Sequence, residues 1–161
     1  SPLRGREFIT KKVTQQLSEV KLGLRDRVTL GNLDAKRDWG YAKEYVEGMH
    51  LMLQRDVGDD YVLATGKTTS IRDFVSFVGG ALDWEIEWLG TGLDESGRDK
   101  STGKLLVDIS PEYYRPAEVD VLLGDSSKAK TQLNWEAETD VGELARLMGQ
   151  FDYDELKRTL G

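Results

Sequence analysis

Two arginines stand where neighbouring residues would hold them still. Arg37 lies in GNLDAKRDWGYAKEYV (residues 31–46), after a Gly-Asn turn and before an amphipathic stretch. Arg115 lies in YYRPAEVDVLLGDSSKAKTQLNW (residues 113–135), behind Tyr113 and Tyr114 and ahead of Pro116. The proline fixes the local backbone and removes a donor, so Arg115 is held in place rather than trailing in solvent. A guanidinium is a planar fork that matches phosphate oxygens two at a time, and two such forks can bracket a diphosphate. Glu118, three residues after Arg115, offers an acceptor for ribose hydroxyls. The same residues also allow a structural role, with Arg37 paired to Asp38 or Asp34 and Arg115 to Glu118 or Glu112. Composition alone favours that second reading.

Other chemistry is thinly represented. Tyr153 and Lys157 have the spacing at which a lysine lowers a tyrosine's pKa from the next helical turn. They lie near the end of the chain, and a packed tyrosine beside a solvated lysine is the simpler expectation. His50 is the single histidine and there is no cysteine, so disulfides, thiolate chemistry and His- or Cys-rich metal sites are excluded. The pairs Asp59-Asp60 and Asp94-Glu95 are expected to be solvated acids without a metal. No Gly-x-Gly-x-x-Gly opens a helix after a strand, because GTGLDESG leads into a polar loop, and no Walker A loop is present.

The elements that must position these residues follow from periodicity. Apolar positions Phe8, Ile9, Val13, Leu17, Val20 and Leu22 predict a helix over 8–22, ended by Gly23. Val28 to Leu30 is a short strand. A second helix over 41–53 is expected to turn Tyr45, Val46, Met49 and Leu53 inward. Residues 61–65 (YVLAT) read as a strand buried on both faces. Ser70 caps a third helix that buries Ile71, Phe74, Val75 and Val78. Residues 84–89 and 105–109 are strands, and 90–104 is a glycine-rich polar loop expected to be mobile. Ser126 or Ser127 caps a short helix to about Leu133. Asp140 caps a last helix to about Leu147, which resumes over 152–160.

Alternating strands and helices place the chain in the α/β or mixed α+β class. Its 161 residues suffice for one domain with a real core. A net charge of −7 argues against a nucleic-acid partner but leaves room for a small anion, which needs only two or three placed cations. No apolar run approaches the ~20 residues of a membrane span, and no signal-peptide pattern opens the chain.

Four stretches, in order, resemble the carboxyl-terminal half of the GDP-mannose 4,6-dehydratases, which are extended short-chain dehydrogenase/reductases. They are SPLRGREFITKKV, GNLDAKRDWGYAKEYVEGMHLMLQ, YVLATGKTTSIRDFV and YYRPAEVDVLLGDSSKAKTQLNW. Sister GDP-4-keto-6-deoxymannose reductases share the Arg-Asp and Arg-Pro pairs, whereas Arg-Asp-Trp-Gly-Tyr-Ala-Lys favours the dehydratases. The resemblance implies a lyase that converts GDP-mannose to GDP-4-keto-6-deoxymannose and water, on the route to GDP-fucose. Hydride passes from the sugar's C4 to NADP and returns to C6. Residue by residue, it implies that Arg4 touches NADP and Lys12 lies near the GDP phosphates. Leu30 and Gly31 line the nucleotide with backbone, Arg37 and Arg115 grip the diphosphate, and Glu118 holds the ribose. Lys11 stands where the family usually has an arginine.

The same resemblance implies what these residues do not supply. The family's cofactor loop, its catalytic Thr and Glu and its Tyr-x-x-x-Lys pair lie upstream of the position matching Ser1, so no catalytic residue is assigned here. Residues 1–161 are expected to form one substrate-binding region, with 59–82 pairing into an amino-terminal Rossmann segment. The expectation is a piece of a cytoplasmic enzyme, inactive alone, whose family forms dimers or tetramers. The alternatives are a non-catalytic nucleotide-sugar-binding module, or part of a related NDP-sugar reductase or epimerase.

Overall fold

The computed structural model describes residues 1–114 and 121–161. Helix α1 (Ile9–Lys21) buries Val13, Leu17 and Val20, one apolar stripe at helical spacing. Then come β1 (Val28–Leu30), β2 (Lys36–Arg37) and α2 (Ala42–Leu53). β3 (Thr69–Ser70) runs directly into α3 (Ile71–Ala81). Ser70 caps α3 reciprocally: its hydroxyl accepts from the Asp73 N–H at 3.0 Å and donates to the Asp73 carboxylate at 2.7 Å. Strands β4 (Ile86–Leu89), β5 (Ser96–Asp99) and β6 (Leu105–Ile109) follow, then α4 (Ser127–Leu133) and α5 (Val141–Leu160).

The main sheet has the order β1-β6-β5-β4. β1 runs parallel to β6, with Val28 opposite Val107, and β5 is antiparallel to both of its neighbours. Helices α1, α3 and α5 pack together against it. Phe74, Leu17, Leu106, Leu144 and Met148 are fully buried between them. α1 is also tied to α5 by polar groups. Buried Asp152 pairs with Lys11 and accepts from the Thr14 hydroxyl at 2.6 Å. A smaller cluster of Ala129, Leu133 and Trp135 packs under α2. The α/β class is as expected.

Four elements differ from the sequence expectation. The 90–104 loop contains β5, which lies between β4 and β6 with Glu95, Gly97 and Asp99 buried along it. Its glycines and polar side chains are what made it read as a loop, and its buried acids are satisfied. Arg72 grips Glu95 through Nε (2.6 Å) and Nη2 (2.9 Å), while Asp99 accepts from the Ser101 and Thr102 hydroxyls. The side of α2 expected to face inward faces out: Val46 is 62%, Met49 54% and Leu53 81% exposed. Of the expected set only Tyr45 packs on the small cluster, joined by Leu51 and Met52. Residues 61–65 form no strand, and among the described residues none pairs with them. An apolar run becomes a ladder only beside an open sheet edge, and among the described residues no sheet strand pairs with it. Finally, α5 runs unbroken through Gly149, whose Cα lies against Val78 and Ala81 of α3. No helix among the described residues is long and apolar enough to cross a membrane.

Candidate functional site

The site is built where the parallel pair β1/β6 ends. The Ser110 N–H donates to the Leu30 carbonyl at 2.9 Å, carrying the pairing past the last residue of β6. The Ser110 carbonyl then accepts from both Tyr113 and Tyr114 N–H (3.1 Å each), closing a turn over the end of β1. The turn lies so close that a Cβ on Gly31 would come within 2.0 Å of the Tyr113 carbonyl oxygen. Only glycine fits there, for closeness rather than for backbone angle.

From Gly31 the chain turns through Asn32, whose side-chain oxygen accepts from the Asp34 N–H at 2.9 Å, and enters β2. β2 is short but held on both sides. It pairs antiparallel with β3, with Arg37 opposite Thr69, and bridges in parallel to Val121. The Leu122 N–H donates to the Lys36 carbonyl at 3.3 Å. Both described flanks of 115–120 therefore lie beside the Arg37 strand or its pocket: Tyr113 on one side, Val121 on the other.

A pocket of about 290 Å³ results, lined by Lys12 and Ile9 of α1, Leu30, Gly31 and Asn32 after β1, Arg37 of β2, Ile71 of α3, and Tyr113. Glu7 and Glu112 line it as well. Four residues singled out in the sequence, Lys12, Leu30, Gly31 and Arg37, thus share one cavity although they come from three separate elements. Arg115 and Glu118 lie outside the described residues. Arg4 belongs to a neighbouring pocket of about 300 Å³ with Phe8, Trp39 and Tyr45, where its guanidinium covers the Phe8 ring at 3.4 Å. Tyr113, Asn32 and Ile71 were not singled out from sequence as site residues. The Tyr-Tyr pair next to Arg115 was the available signal.

Electrostatics distinguish the two neighbouring lysines of α1. Lys11 is taken up by buried Asp152 and the Pro2 carbonyl. Lys12 has no carboxylate partner among the described residues, and its ammonium lies 4.3 Å from the centre of the Tyr113 ring. Burial, then the charge of Arg25, lowers its pKa. Of the acids weighed as partners for Arg37, Asp34 pairs with Arg72 at 2.7 Å. Asp38 is a latch: it accepts from Thr65 N–H (3.0 Å) and hydroxyl (2.6 Å), Gly66 N–H (3.0 Å) and Gly124 N–H (3.4 Å). One carboxylate beside Arg37 thereby gathers three segments. Arg37 Nη1 donates to the Lys36 carbonyl at 2.8 Å.

The remaining candidates are structural. Tyr153 packs on the main core with Lys157 5.8 Å from its ring, His50 is exposed on α2, and Asp59 pairs with Lys128 at 2.7 Å. Glu95, expected to be solvated, is buried against Arg72.

A half-buried lysine and an arginine thus meet around a glycine whose backbone is pressed against a neighbouring turn. The family model for GDP-mannose 4,6 dehydratase matches residues 1–148. The chain belongs to the GDP-mannose 4,6-dehydratase family. It is 50% identical over 159 residues to GDP-mannose 4,6-dehydratase of Sinorhizobium fredii (strain HH103), covering 99% of this chain and 45% of that protein. It is 48% identical to the Homo sapiens GDP-mannose 4,6 dehydratase, covering 99% of this chain and 42% of that one. The chain thus spans less than half the length of these curated family members. Its fold matches RMD from Pseudomonas aeruginosa, solved with NADPH (TM-score 0.77, 16% identity, 96% of this chain and 46% of that one). It also matches dTDP-glucose 4,6-dehydratase from Bacillus anthracis, solved with NAD (TM-score 0.70, 13% identity, 98% of this chain and 42% of that one). These two likenesses bear on the fold, which is mixed α/β in the chain itself.

Proposed function

We propose that this chain is the nucleotide-sugar-holding part of a GDP-mannose 4,6-dehydratase. The observation that carries the reading is the meeting of Lys12, Leu30, Gly31 and Arg37 in one cavity, with Lys12 uncommitted to any carboxylate among the described residues. Family membership supports GDP-mannose as the ligand. Its diphosphate would lie between Arg37 and Arg115, near Lys12, with Glu118 on the ribose and the backbone of Leu30 and Gly31 along the nucleotide. Bidentate arginine and a desolvated lysine suit that charge.

NADP would supply the hydride chemistry, accepting from C4 of the sugar and returning it to C6. For it this chain offers Arg4, an exposed guanidinium in the adjoining pocket, which fits a cofactor phosphate and little more. Catalysis is therefore assigned to the chain together with a cofactor-binding segment. Within 59–82, residues 61–65 are the place to receive that segment, because among the described residues no strand pairs with them and Val62 is half-exposed. The assembly is expected to be a dimer or tetramer.

Calorimetric titration of the purified chain with GDP-mannose tests the ligand assignment. Arg37→Ala and Arg115→Ala should each weaken binding by about 1.5–3 kcal/mol, the range for hydrogen bonds to charged groups. Full affinity in both variants removes the diphosphate clamp. Turnover of GDP-mannose by these 161 residues with no other polypeptide would overturn the assignment of catalysis to a larger assembly.

A further inference from the structure

We infer that Tyr113 is a positioning residue whose ring holds the Lys12 ammonium at the mouth of the Gly31 pocket, where it meets phosphate. This deepens the nucleotide-sugar reading and rests on it. A lysine is a point charge on a flexible four-carbon stem, so an unpaired one needs something to fix it. Among the described residues no carboxylate does so, and the contact that remains is the face of the Tyr113 ring, 4.3 Å from Nζ. The negative face of an aromatic ring attracts a cation at that distance. A carboxylate in the same place would neutralise the lysine and repel phosphate, whereas a ring orients the charge and leaves it intact.

Tyr113 is itself built to do this. Its carbonyl is wedged over Gly31, and its N–H is bound by Ser110, which in turn donates to Leu30. The backbone under the ring is therefore tied to the end of the β1/β6 pair, while the side chain is half-exposed and shows a face to the pocket. Its hydroxyl makes no hydrogen bond among the described residues, so the ring and not the oxygen carries the role. Phenylalanine should replace it and leucine should not.

Side-chain NMR of the lysine methylenes and titration with GDP test this on the full chain. Wild type and Tyr113→Phe should show the Lys12 methylene next to the amine shifted upfield by the ring, and should bind GDP within about twofold of each other. Tyr113→Leu should lose that shift and weaken GDP by about two- to fivefold, the worth of a partly exposed cation–π contact. In a Lys12→Met background, Tyr113→Leu should cost nothing further, a coupling that a merely structural role would not produce. Wild-type affinity in Tyr113→Leu, or an equal loss in the Lys12→Met background, overturns the inference. A wild type that takes up no GDP overturns the nucleotide reading instead. The Lys12 resonances, read without ligand, still decide whether the ring holds the amine.

Discussion

The two sides of the molecule are finished to different degrees. On one, α1, α3 and α5 close over the main sheet, and Leu17, Phe74, Val78 and Leu106 are fully buried. On the other, α2 turns Val46, Met49 and Leu53 outward, and Val62, Leu122 and Leu123 are half-exposed near an extended run that no strand pairs. The pocket stands between them. Lys12 and Ile9 come from the closed side, and Arg37 and Asp38 begin the open one. The closed side satisfies its own apolar surface. The open side is where a covering segment would gain most, since burying a half-exposed leucine or valine removes apolar area from water. The proposed ligand pocket draws on both sides, Lys12 from the first and Arg37 from the second.

The largest expected effect breaks or upholds that contrast directly. Phe74→Ala should lower the unfolding free energy of the chain by about 3–5 kcal/mol, the range for an aromatic removed from a packed core. Leu123→Ala, 61% exposed, should stay within about 0.5 kcal/mol. Urea unfolding of both variants measures the difference, and similar losses would mean that the open side is as well packed as the closed one.

A smaller effect is expected at the boundary. Gly31→Ala puts a methyl into the Tyr113 carbonyl, so the turn over β1 must shift. Overpacking of this kind costs about 1–3 kcal/mol. Because Tyr113, whose ring faces Lys12, belongs to that turn, the substitution should weaken GDP-mannose binding more than it lowers stability. A loss confined to stability would separate the turn from the pocket.

The sequence was legible on the closed side and misleading on the open one, for one physical cause. Val13, Leu17 and Val20 repeat at helical spacing and meet a core within this chain, so periodicity alone placed α1 to within a residue or two. α2 has an equally clear stripe, yet Val46, Met49 and Leu53 find no core here, and Tyr45, Leu51 and Met52 take the buried place. Periodicity reports which face is apolar and cannot say whether a partner is present. β5 was hidden in the opposite way. Glu95 is paired by Arg72, 23 residues away, and Asp99 accepts from local hydroxyls, and no local pattern announces the long-range pair. At the site, Arg37 was singled out from its own setting and Lys12 through family resemblance, while Tyr113 emerged only from three-dimensional contact, because its role depends on a lysine 101 residues earlier in the chain.

The smallest expected effect sharpens the view of the open side through Tyr45. Its ring lies against Gly40 and edge-on to Trp135 at 5.6 Å, between the Arg4 and Arg37 pockets. Burial, then the charges of Asp38 and Glu44, push its pKa up from 10.0 to about 12. A phenol that ionises later in the folded state favours folding fully below its ordinary value. That contribution is lost as pH rises from 10 towards 12, where the unfolded chain releases the proton and the folded chain does not. Lysines titrate in the same window, so the readable quantity is the difference between wild type and Tyr45→Phe. The variant should lose less stability between pH 10 and 12, and the phenolate absorbance it removes from the folded protein should be the late-rising fraction. A Tyr45 that ionises at the ordinary value would mean that α2 does not hold its ring against Trp135. The open side would then be loose as well as exposed.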